Sequence, residues 1–318
     1  MDIALIGASG FVGTRLIDII RDSGYKITNI DIADSECHQD ITVSGDVRNQ
    51  DEMIRLTKDT DMIVLLAAQH RDDVTPASLY YDTNVKGMQN VLHAMEVNHI
   101  RRLTFFSSVA IYGMDKCNPD ESHPADPFNH YGKSKWQAEQ LAHEWQQKHP
   151  DTNINIIRPT VIFGERNRGN VYNLIHQLSK KNFMMVGSGR NIKSMAYVGN
   201  VVAFVKFLIE NKTDGYNVYN YVDKPDLNMN ELVSITCEAL GQKAPGFHIP
   251  YWLGLLGGVF FDMIAAITRR KLNISSIRIK KFCATTQFDS TKAQSTGFKP
   301  EYTLKEGLAR TIAYEFKN

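Results

Sequence analysis

Cysteine is scarce in this chain, which has four in 318 residues, and no two of them form a Cys-x-x-Cys pair. A disulfide framework and a structural zinc site both need closely spaced cysteines, so we predict neither, and we predict no metal site. Isolated thiols are typical of a reducing compartment, so we expect a cytoplasmic protein. The four residues are Cys37, Cys117, Cys237 and Cys283.

An excess of charge of either sign is also lacking, because 36 basic and 35 acidic side chains leave a formal net charge of +1. Proteins that bind nucleic acid usually have a basic surface, so we expect no nucleic-acid partner. The first apolar run reads as a core strand, which argues against a signal peptide. The composition, 43% hydrophobic and 22% charged, is typical of a soluble enzyme with one large domain or two unequal ones.

The glycines near the start of the chain form a nucleotide-binding pattern. A short apolar strand ends at Gly7, Gly10 and Gly13 follow in a GxxGxxG spacing, and residues 11–20 are amphipathic. A glycine turn between a strand and a helix lets a diphosphate approach backbone amides at the helix N-terminus. We therefore predict a dinucleotide site whose contacts here are Gly7, Ser9, Gly10, Phe11, Val12 and Gly13.

An acidic residue follows the second predicted strand, residues 27–30. Asp31 lies at the distance past the glycines where a carboxylate accepts hydrogen bonds from an adenosine ribose. Asp34 and Glu36 follow it, and these would repel a 2′-phosphate, so we predict NAD rather than NADP. The alternative is that Asp31 is only a turn residue at the strand end.

Strand and helix patterns alternate through the first half of the chain, which predicts a doubly wound parallel α/β sheet of Rossmann type. Ligands of such sheets bind beyond the carboxyl ends of the strands, where we place Ala67, Ala68, Ser107 and Ser108. The predicted strands are 62–67, 103–107 and 154–157, and the predicted helices are 79–97 and 131–147.

The second half has different signals. Asn200 is predicted to cap a helix over 201–210, and Asn228 with Glu231 forms a capping pattern before a helix that stops at Gly241. Residues 164–195 read as loops with a short helix. We predict a NAD-binding domain over 1–165, with later segments crossing back to it, and a mainly substrate-binding part over 166–318.

Tyr131 and Lys135 are the candidate catalytic pair. Residues four apart lie on one face of a helix, so the phenol and the ammonium would be neighbours. A nearby cation favours the phenolate and makes tyrosine a usable base near neutral pH. The alternative is a solvated surface pair without function.

Taken together, these motifs resemble the extended short-chain dehydrogenase/reductases of the nucleotide-sugar epimerase/dehydratase kind, along essentially the whole chain. Within that family the sequence is similar to bacterial O-antigen epimerases that interconvert N-acetylglucosamine and N-acetylgalactosamine on undecaprenyl diphosphate. The resemblance is carried by the glycine motif, Asp31, Gly45-Asp46-Val47-Arg48, Leu66-Ala67-Ala68, Asn84-Val85-x-Gly87, Ser108, Tyr131-x-x-x-Lys135, Arg158-Pro159 and Gly297-Phe298-x-Pro300.

The resemblance implies a role for each matching residue. Tyr131 would take the proton of the C4 hydroxyl, Ser108 would hydrogen-bond the reacting oxygen, and Lys135 would bind the nicotinamide ribose and lower the pKa of Tyr131. NAD would be reduced and regenerated in each cycle, with a 4-keto sugar in between. The implied cofactor contacts beyond the glycine loop are Asp31, Asp46, Val47, Leu66, Ala67, Ala68, Asn84, Ser107, Tyr131, Lys135 and Pro159. The implied substrate contacts are Ser108, Tyr131, Asn170, Lys193, Arg278 and Thr286.

Two departures from the family pattern bear on the reaction. Val109 and Ala110 stand where 4,6-dehydratases have an Asp-Glu pair, so dehydration is disfavoured. Lys193 begins a Lys-Ser-Met stretch where many epimerases have Arg-Asp-aromatic, so the cation that grips the diphosphate would be a lysine, with Arg278 as a second candidate.

A small residue is predicted at the position that selects for the sugar's 2-substituent. Counting back from the Asp289-Ser290-Thr291 stretch places Thr286 there, where glucose-specific members have a large aromatic. A threonine leaves room for an N-acetyl group, which favours an N-acetylhexosamine substrate.

The stretch 249–268 is the least enzyme-like part of the sequence, because Asp262 is its only charge. We reject a membrane span and keep two interpretations, a buried helix and a surface helix that dips into the bilayer. The cations that follow favour contact of 249–281 with the inner face of the cytoplasmic membrane. They are Arg269, Arg270, Lys271, Arg278, Lys280 and Lys281.

Other functions remain open at the level of sequence. They are a UDP-N-acetylglucosamine or UDP-glucose 4-epimerase, a NAD-dependent sugar oxidoreductase, and a dinucleotide sensor without catalysis. We also expect a homodimer, from the family resemblance alone.

Overall fold

The computed structural model describes residues 1–71, 74–114, 116–268 and 275–317. Its strands are β1 (Asp2–Ile6), β2 (Lys26–Asp31), β3 (Thr42–Ser44), β4 (Met62–Leu65), β5 (Arg102–Phe106), β6 (Asn153–Pro159), β7 (Val161–Phe163), β8 (Met185–Val186), β9 (Ile192–Lys193), β10 (Met195–Tyr197), β11 (Tyr216–Tyr221), β12 (Leu227–Asn228) and β13 (His248–Ile249).

The helices are α1 (Phe11–Ile20), α2 (Gln50–Leu56), α3 (Ser78–Tyr81), α4 (Gly87–Val97), α5 (His130–Lys148), α6 (Asn170–Ser179), α7 (Val198–Glu210), α8 (Met229–Ala239), α9 (Tyr251–Thr268), α10 (Ser276–Cys283), α11 (Thr291–Ser295) and α12 (Leu304–Phe316). Short 3₁₀ helices occupy Gln39–Ile41 and Val109–Tyr112, and a π-helical turn occupies Asp82–Lys86.

The central sheet has seven parallel strands in the order β11-β6-β5-β4-β1-β2-β3. The order reverses between β1 and β4, and ligands of such sheets bind where it does so. The predicted doubly wound Rossmann sheet is confirmed. The central strands β1 and β4 are nearly continuous apolar runs because helices cover both faces of the sheet.

Two hydrophobic clusters cover the two faces of the sheet. One contains Leu16 and Ile17 of α1 together with Val201 of α7 and Leu308 of α12. The other packs α4 and α5 against the opposite face, for example through Val91 and Ala138. The first cluster therefore joins the beginning of the chain to its last helix.

The predicted capping pattern of α8 is confirmed, because Asn228 accepts from Glu231 N and the Glu231 side chain accepts from Asn228 N. The predicted cap at Asn200 is wrong. Helix α7 begins at Val198, and the buried Asn200 side chain instead bonds the backbone of Tyr302, donating to its carbonyl at 2.7 Å and accepting from its N–H at 3.1 Å. Asn200 thereby holds the C-terminal segment onto α7.

The predicted helix over 79–97 is interrupted. The chain runs through α3, a π-helical turn at Asp82–Lys86 and then α4. The turn contains the buried Asn84, whose side chain donates to Gln69 O and to Ser134 Oγ. A π-turn is a frequent mark of a functional position within a helix, and hydrophobic periodicity alone does not reveal it.

Helix α9 is not a core helix. Gly258 is its one buried residue, whereas Trp252 is 63% exposed and Leu256 is 59% exposed. The buried-helix interpretation is therefore wrong. Among the described residues, α9 is long and apolar enough to cross a membrane by length and composition only. Arg269, Arg270 and Lys271, which were part of the predicted basic cluster, lie outside the described residues.

Candidate active site

The glycine loop lies between β1 and α1, at the point where the sheet order reverses. Gly7 has φ +84°, and a Cβ there would lie 2.4 Å from the Cα of Ala67. A Cβ on Gly13 would lie 2.2 Å from the Cα of Ala8, whereas one on Gly10 would meet no atom within 4 Å. Gly7 and Gly13 thus allow tight packing, and Gly10 leaves bare backbone facing open space, as approach of a diphosphate needs.

Asp31 anchors this loop from the end of β2. Its Oδ2 accepts from Ser9 N at 2.9 Å, and its Oδ1 accepts from Ala33 N at 3.0 Å. A carboxylate oxygen has more than one acceptor site, so the group can still accept from a ribose hydroxyl. The structure therefore shows the turn role of Asp31, which is compatible with the predicted cofactor role. Phe11 and Val12 open α1 and pack partly against the core.

Asp46 and Val47, predicted next to the adenine, follow β3. The Asp46 carboxylate accepts from Arg48 Nε at 2.9 Å and from Arg48 Nη2 at 2.6 Å, and this hydrogen bonding lowers the pKa of Asp46. Val47 is buried, and its carbonyl accepts from Asn90. Asp46 is thus already paired with a neighbouring guanidinium, which the sequence pattern did not indicate.

The segment after β4 lies beside the glycine loop. The N–H groups of Leu66 and Ala67 both donate to Ile6 O at 2.8 Å. Beyond Ala68, Gln69 is fixed by Asn84, whose Oδ1 accepts from Gln69 N at 2.8 Å. Because Asn84 also donates to Ser134, it connects this loop to α5.

The segment after Ser108 and the first turn of α5, which bears Tyr131, pack closely against each other. Ser108 is half-buried after β5 and accepts from Ala110 N, while Tyr131 lies in the first turn of α5, which Asn129 caps. A Cβ on Gly132 would lie 2.5 Å from Ala110 O. The missing side chain therefore lets α5 pack against the segment that follows Ser108.

Lys135 lies beneath this pair and is only 2% exposed. Its Nζ donates to Phe106 O at 2.6 Å and lies 4.6 Å from the ring centroid of Phe105. Burial lowers the pKa of Lys135 to about 7, although the nearby Glu139 carboxylate opposes this. The alternative of a solvated Tyr-Lys surface pair is wrong for the lysine, because it lies in the interior.

A buried ionic cluster lies beside Lys135, and its charged members, Glu139 and Arg158, had no predicted catalytic or binding role. Ser107, predicted to contact the cofactor, belongs to this cluster. Glu139 forms an ion pair with Arg158 of β6 at 2.6 Å, and Arg158 Nη1 donates to Tyr112 OH at 2.7 Å. The Ser107 hydroxyl also donates to Glu139, so it faces the interior. An arginine within the fully buried β6, and a glutamate one turn after Lys135, were the signals that could have revealed the cluster.

Pro159 ends β6, where it is buried and pairs with Tyr221 of β11. It therefore lies at the same edge of the sheet as Ser108, beyond the carboxyl ends of the strands.

Lys193 and Thr286 are neighbours, linked by an isolated parallel bridge. The Lys193 ammonium donates to the carbonyls of Lys281 at 3.0 Å and Ala284 at 2.6 Å, and burial lowers its pKa to about 8. The chain itself thus holds this cation, which departs from the predicted diphosphate grip. Thr286 has an exposed side chain.

Arg278 and Asn170 are both exposed, and they lie on different elements. Arg278 belongs to α10, where its N–H donates to Ser275 Oγ, and Asn170 is the first residue of α6. The structure thus pairs Lys193 with Thr286 among the predicted substrate residues, and it places Asn170 on a separate helix.

Comparisons with known proteins agree with this arrangement. Residues 3–221 match the family model for the NAD dependent epimerase/dehydratase family. The chain is 58% identical over 317 residues to N-acetyl-alpha-D-glucosaminyl-diphospho-ditrans,octacis-undecaprenol 4-epimerase of Escherichia coli O157:H7, covering 99% of this chain and 95% of that protein.

Solved structures show the same fold. MoeE5 in complex with UDP-glucose and NAD superposes with a TM-score of 0.79 at 23% identity, covering 100% of this chain and 99% of that one. UDP-glucose 4-epimerase of Thermotoga maritima with UDP-glucose gives a TM-score of 0.78 at 20% identity, with the same coverage.

Proposed function

Because the chain belongs to the NAD-dependent epimerase/dehydratase family, we propose that it interconverts the C4 epimers of an N-acetylhexosamine carried on undecaprenyl diphosphate. The product would serve O-antigen or other surface polysaccharide synthesis. The observation that supports the chemistry is that Lys135 bonds the end of β5 through Phe106 O, while the first turn of α5, which bears Tyr131, packs against the segment after Ser108.

The glycine loop fits NAD. Bare backbone at Gly10, the close approach of Gly7 to Ala67, and the Asp31 carboxylate at the end of β2 match the needs of a diphosphate and a ribose. Residues 1–165, completed by α7 and β11, would form the NAD-binding part, and 166–318 would supply most of the substrate contacts. Bound NAD supplies reversible acceptance of a hydride, which makes a transient 4-keto sugar accessible.

The side chains would supply the proton chemistry. Tyr131 takes the proton of the C4 hydroxyl and later returns one, and Ser108 donates a hydrogen bond to the same oxygen. The buried Lys135 ammonium stabilises the phenolate through charge, which a low local dielectric strengthens. The Asp-Glu pair of dehydratases is replaced by Val109 and Ala110, so loss of water has no acid-base pair to carry it.

The carrier is tested by incubating the purified protein with N-acetylglucosamine on undecaprenyl diphosphate and, separately, on UDP. The configuration at C4 is read by NMR. We expect epimerisation of the lipid-linked sugar. Turnover of the UDP sugar without turnover of the lipid-linked sugar would replace this proposal by a UDP-sugar 4-epimerase.

The same reactions separate the remaining alternatives. A sugar oxidoreductase would accumulate NADH in step with product, which absorbance at the reduced nicotinamide band detects. A dinucleotide sensor would bind NAD and leave both sugars unchanged. Ser108, Tyr131 and Lys135 all being present in one place argues against the sensor.

We also propose that α9 and α10 rest on the inner face of the cytoplasmic membrane. The exposed side chains of α9 form an apolar surface, and Arg278, Lys280 and Lys281 on α10 supply cations beside it. Apolar burial plus attraction to anionic lipid gives the two signals that stable peripheral binding needs. The exposed residues are Tyr251, Trp252, Leu253, Leu256, Val259, Phe260, Met263 and Ile267.

The packing of α10 argues against a span. Gly258 lies against Ser276, and the single carboxylate of α9, Asp262, accepts from Ser276 N at 3.1 Å. Thr286 then pairs with Lys193, so the chain returns to the fold directly after α10. The Asp262 carboxylate bonds the first residue of α10. It therefore faces α10 and does not oppose insertion of the exposed side of α9 into the bilayer.

This surface adjoins the candidate active site. Lys281 of α10 lies 5.5 Å from the ring centroid of Phe128, which is half exposed and lies three residues before Tyr131. Lys193 holds the end of α10 through the carbonyls of Lys281 and Ala284. A diphosphate at the membrane surface would therefore be near the catalytic tyrosine.

The membrane proposal is tested with a variant in which Trp252, Leu255 and Leu256 are replaced by Asn, Gln and Gln. We expect loss of binding to vesicles of phosphatidylglycerol and phosphatidylcholine, and loss of activity on the lipid-linked sugar. Activity on a short-chain, soluble diphosphate sugar should persist. The control is Val97→Asn, because Val97 is an exposed apolar residue on α4. Unchanged vesicle binding of the triple variant would reject the membrane contact.

We finally propose a homodimer through α4 and α5, as the family resemblance suggests. These helices lie side by side on one face of the sheet, and a second copy would complete a four-helix contact. Light scattering of the purified protein tests this, and a monomer at micromolar concentration would reject it.

A further inference from the structure

The buried ionic cluster lies one helical turn from the catalytic lysine. Lys135 and Glu139 are four residues apart on α5, so their side chains share a face of the helix. The Glu139 carboxylate is 1% exposed and is held by Arg158 Nε, by Arg158 Nη2 and by the Ser107 hydroxyl. The Lys135 ammonium in turn donates to the carbonyl of Phe106, the residue before Ser107. The carboxylate and the ammonium are thus fixed to adjacent residues at the end of β5.

The direct hydrogen bonds of Lys135 are insufficient to keep it charged. Its Nζ contacts one carbonyl and one aromatic ring, and neither has a full negative charge. A buried amine without a nearby negative charge can release its proton at about pH 5 to 6, below the value of about 7 that Lys135 has beside Glu139. The proposed chemistry needs the ammonium, so a negative charge must be supplied from within the protein.

Glu139 is the carboxylate in a position to supply it. Glu121, the other acid near this cluster, is directed away, because its side chain accepts from Asn220 N. Tyr112 and Tyr216 stay neutral because burial raises the pKa of each phenol. Arg158 forms an ion pair with Glu139 at 2.6 Å. The titratable and charged groups around Lys135 are therefore Tyr131 and Glu139 on α5, Arg158 on β6, Tyr112 on the 3₁₀ helix, Tyr216 on β11, and Glu121.

We propose that Glu139, held by Arg158 and Ser107, is a positioning residue that keeps Lys135 protonated and fixes the end of β5 beneath the catalytic pair. This rests on the proposed Tyr131–Lys135 chemistry but is independent of which carrier the sugar uses. The direction of the expected change in the Lys135 titration follows from the charge that is removed. Removing the carboxylate disfavours the ammonium, so Lys135 loses its proton at a lower pH.

The proton on Lys135 can be observed without substrate. Protein labelled with ¹³C-lysine and saturated with NAD is titrated by NMR, and the Lys135 methylene resonance is assigned by its loss in Lys135→Met. The test variant is Glu139→Gln, which removes the negative charge and leaves Arg158 its hydrogen bond to Tyr112 OH. We expect Lys135 to titrate about one pH unit lower in this variant. The alkaline limb of the turnover profile should move with it.

Two further variants distinguish an effect of the Glu139 charge from an effect of altered packing around it. Glu139→Asp retains the carboxylate and should return the titration toward that of the unmodified protein. Tyr112→Phe removes a hydrogen bond to Arg158 but no charge, so it should lower stability and leave the titration in place. Should Glu139→Gln fail to fold, Arg158→Met tests the same charges with the opposite sign, because loss of the guanidinium should raise the pH at which Lys135 titrates.

The result that overturns the proposal is a Lys135 titration that stays in place when Glu139 is neutralised, or one that Tyr112→Phe shifts equally. Either would leave the cluster with a packing role alone. Failure to turn over the lipid-linked sugar would instead reject only the proposed carrier. The NMR titration contains no sugar, so its result does not depend on the carrier.

Discussion

Lys135 shows how a functional residue can oppose the stability of the fold that holds it. Its pKa of about 7 in the folded chain lies below the ordinary 10.5 of lysine. Below pH 7 the amine is protonated in both the folded and unfolded chains, so burial of the charge opposes folding in full. As the pH rises from about 7 toward 10.5, the folded chain alone releases the proton, and the penalty declines.

Lys135→Met should therefore raise the melting temperature while it abolishes turnover. The increase should be largest at about pH 6 and should shrink toward pH 9, because the penalty that the variant removes is smaller there. Thermal unfolding of both proteins, stripped of nucleotide, measures this. An unchanged or lower melting temperature of the variant at pH 6 would show that Phe106 O and Glu139 fully compensate the buried charge.

Tyr131→Phe is predicted to reduce turnover by about 10² to 10⁴, the usual effect of losing a general base. The fold and the NAD affinity should persist, because the change removes one hydroxyl group in the first turn of α5 and keeps the aromatic ring. Turnover and NAD binding are measured on the same preparation. Near-normal turnover would remove Tyr131 from the role of base.

The sequence was sufficient to place Tyr131 and Lys135 on one helix, because their four-residue spacing is local, and α5 confirms that placement. The role of Ser108 remains a prediction from the family resemblance. The sequence was insufficient for Lys193, whose pattern suggests a cation for a diphosphate. The two carbonyls that hold this ammonium lie about ninety residues further along, and no local pattern encodes such a contact. Arg158 and Glu139 were likewise separate in the sequence and became one group only through the pairing of β6 with β5 beneath α5.

Among the elements, the π-turn at Asp82–Lys86 has the clearest functional consequence. It directs Asn84 inward, where one side chain satisfies both backbone polar groups of Gln69 and contacts Ser134 of α5. The turn thus couples the loop after β4 to the helix that bears Tyr131.

Asn84→Ala should destabilise the protein by about 1–3 kcal/mol, because it leaves buried polar groups unpaired. It should also weaken NAD binding, because the loop after β4 lies beside the glycine loop. The matched control is Asn98→Ala at the far end of α4, where Asn98 donates to Ile54 O and to Thr57 Oγ1. Denaturant unfolding and NAD titration compare the two. Equal loss of NAD affinity in both variants would contradict the assigned role of Asn84.

Helix α9 shows what composition can and cannot predict. The apolar run indicates a segment that avoids water, and it forms a helix although Gly254, Gly257 and Gly258 disfavour one. It does not indicate burial, since the same residues would suit a core or a bilayer. Burial is decided by whether another element covers the helix, and α10 covers only the side around Gly258.

At the level of the whole molecule, one hydrophobic cluster joins the two halves of the chain. Helix α1 packs on α7, and Leu308 and Ile312 of α12 belong to the same cluster as Leu16. The sheet, too, is completed from the second half by β11. The predicted boundary near residue 165 therefore separates the part expected to contact NAD from the part expected to contact the sugar. It does not separate two hydrophobic cores, because one core extends across it.

A fragment of residues 1–165 should not fold stably. It would expose the face of α1 that α7 covers, and it would leave β6 as an unpaired sheet edge. Limited proteolysis and circular dichroism of the fragment, beside the full chain, measure this. A protease-resistant fragment with native-like helix content would show that the first half has a sufficient core of its own.

Because one hydrophobic cluster joins the two halves of the chain, NAD that binds at the glycine loop should also stabilise the second half. When NAD binds the folded state alone, it lowers the population of the globally open state by the factor 1 + [NAD]/Kd. Amide hydrogens that exchange only through global opening must then slow by the same factor, wherever they lie. The amides of α8 and α12, which make no part of the glycine loop, would report occupancy of a dinucleotide site on the other half of the chain.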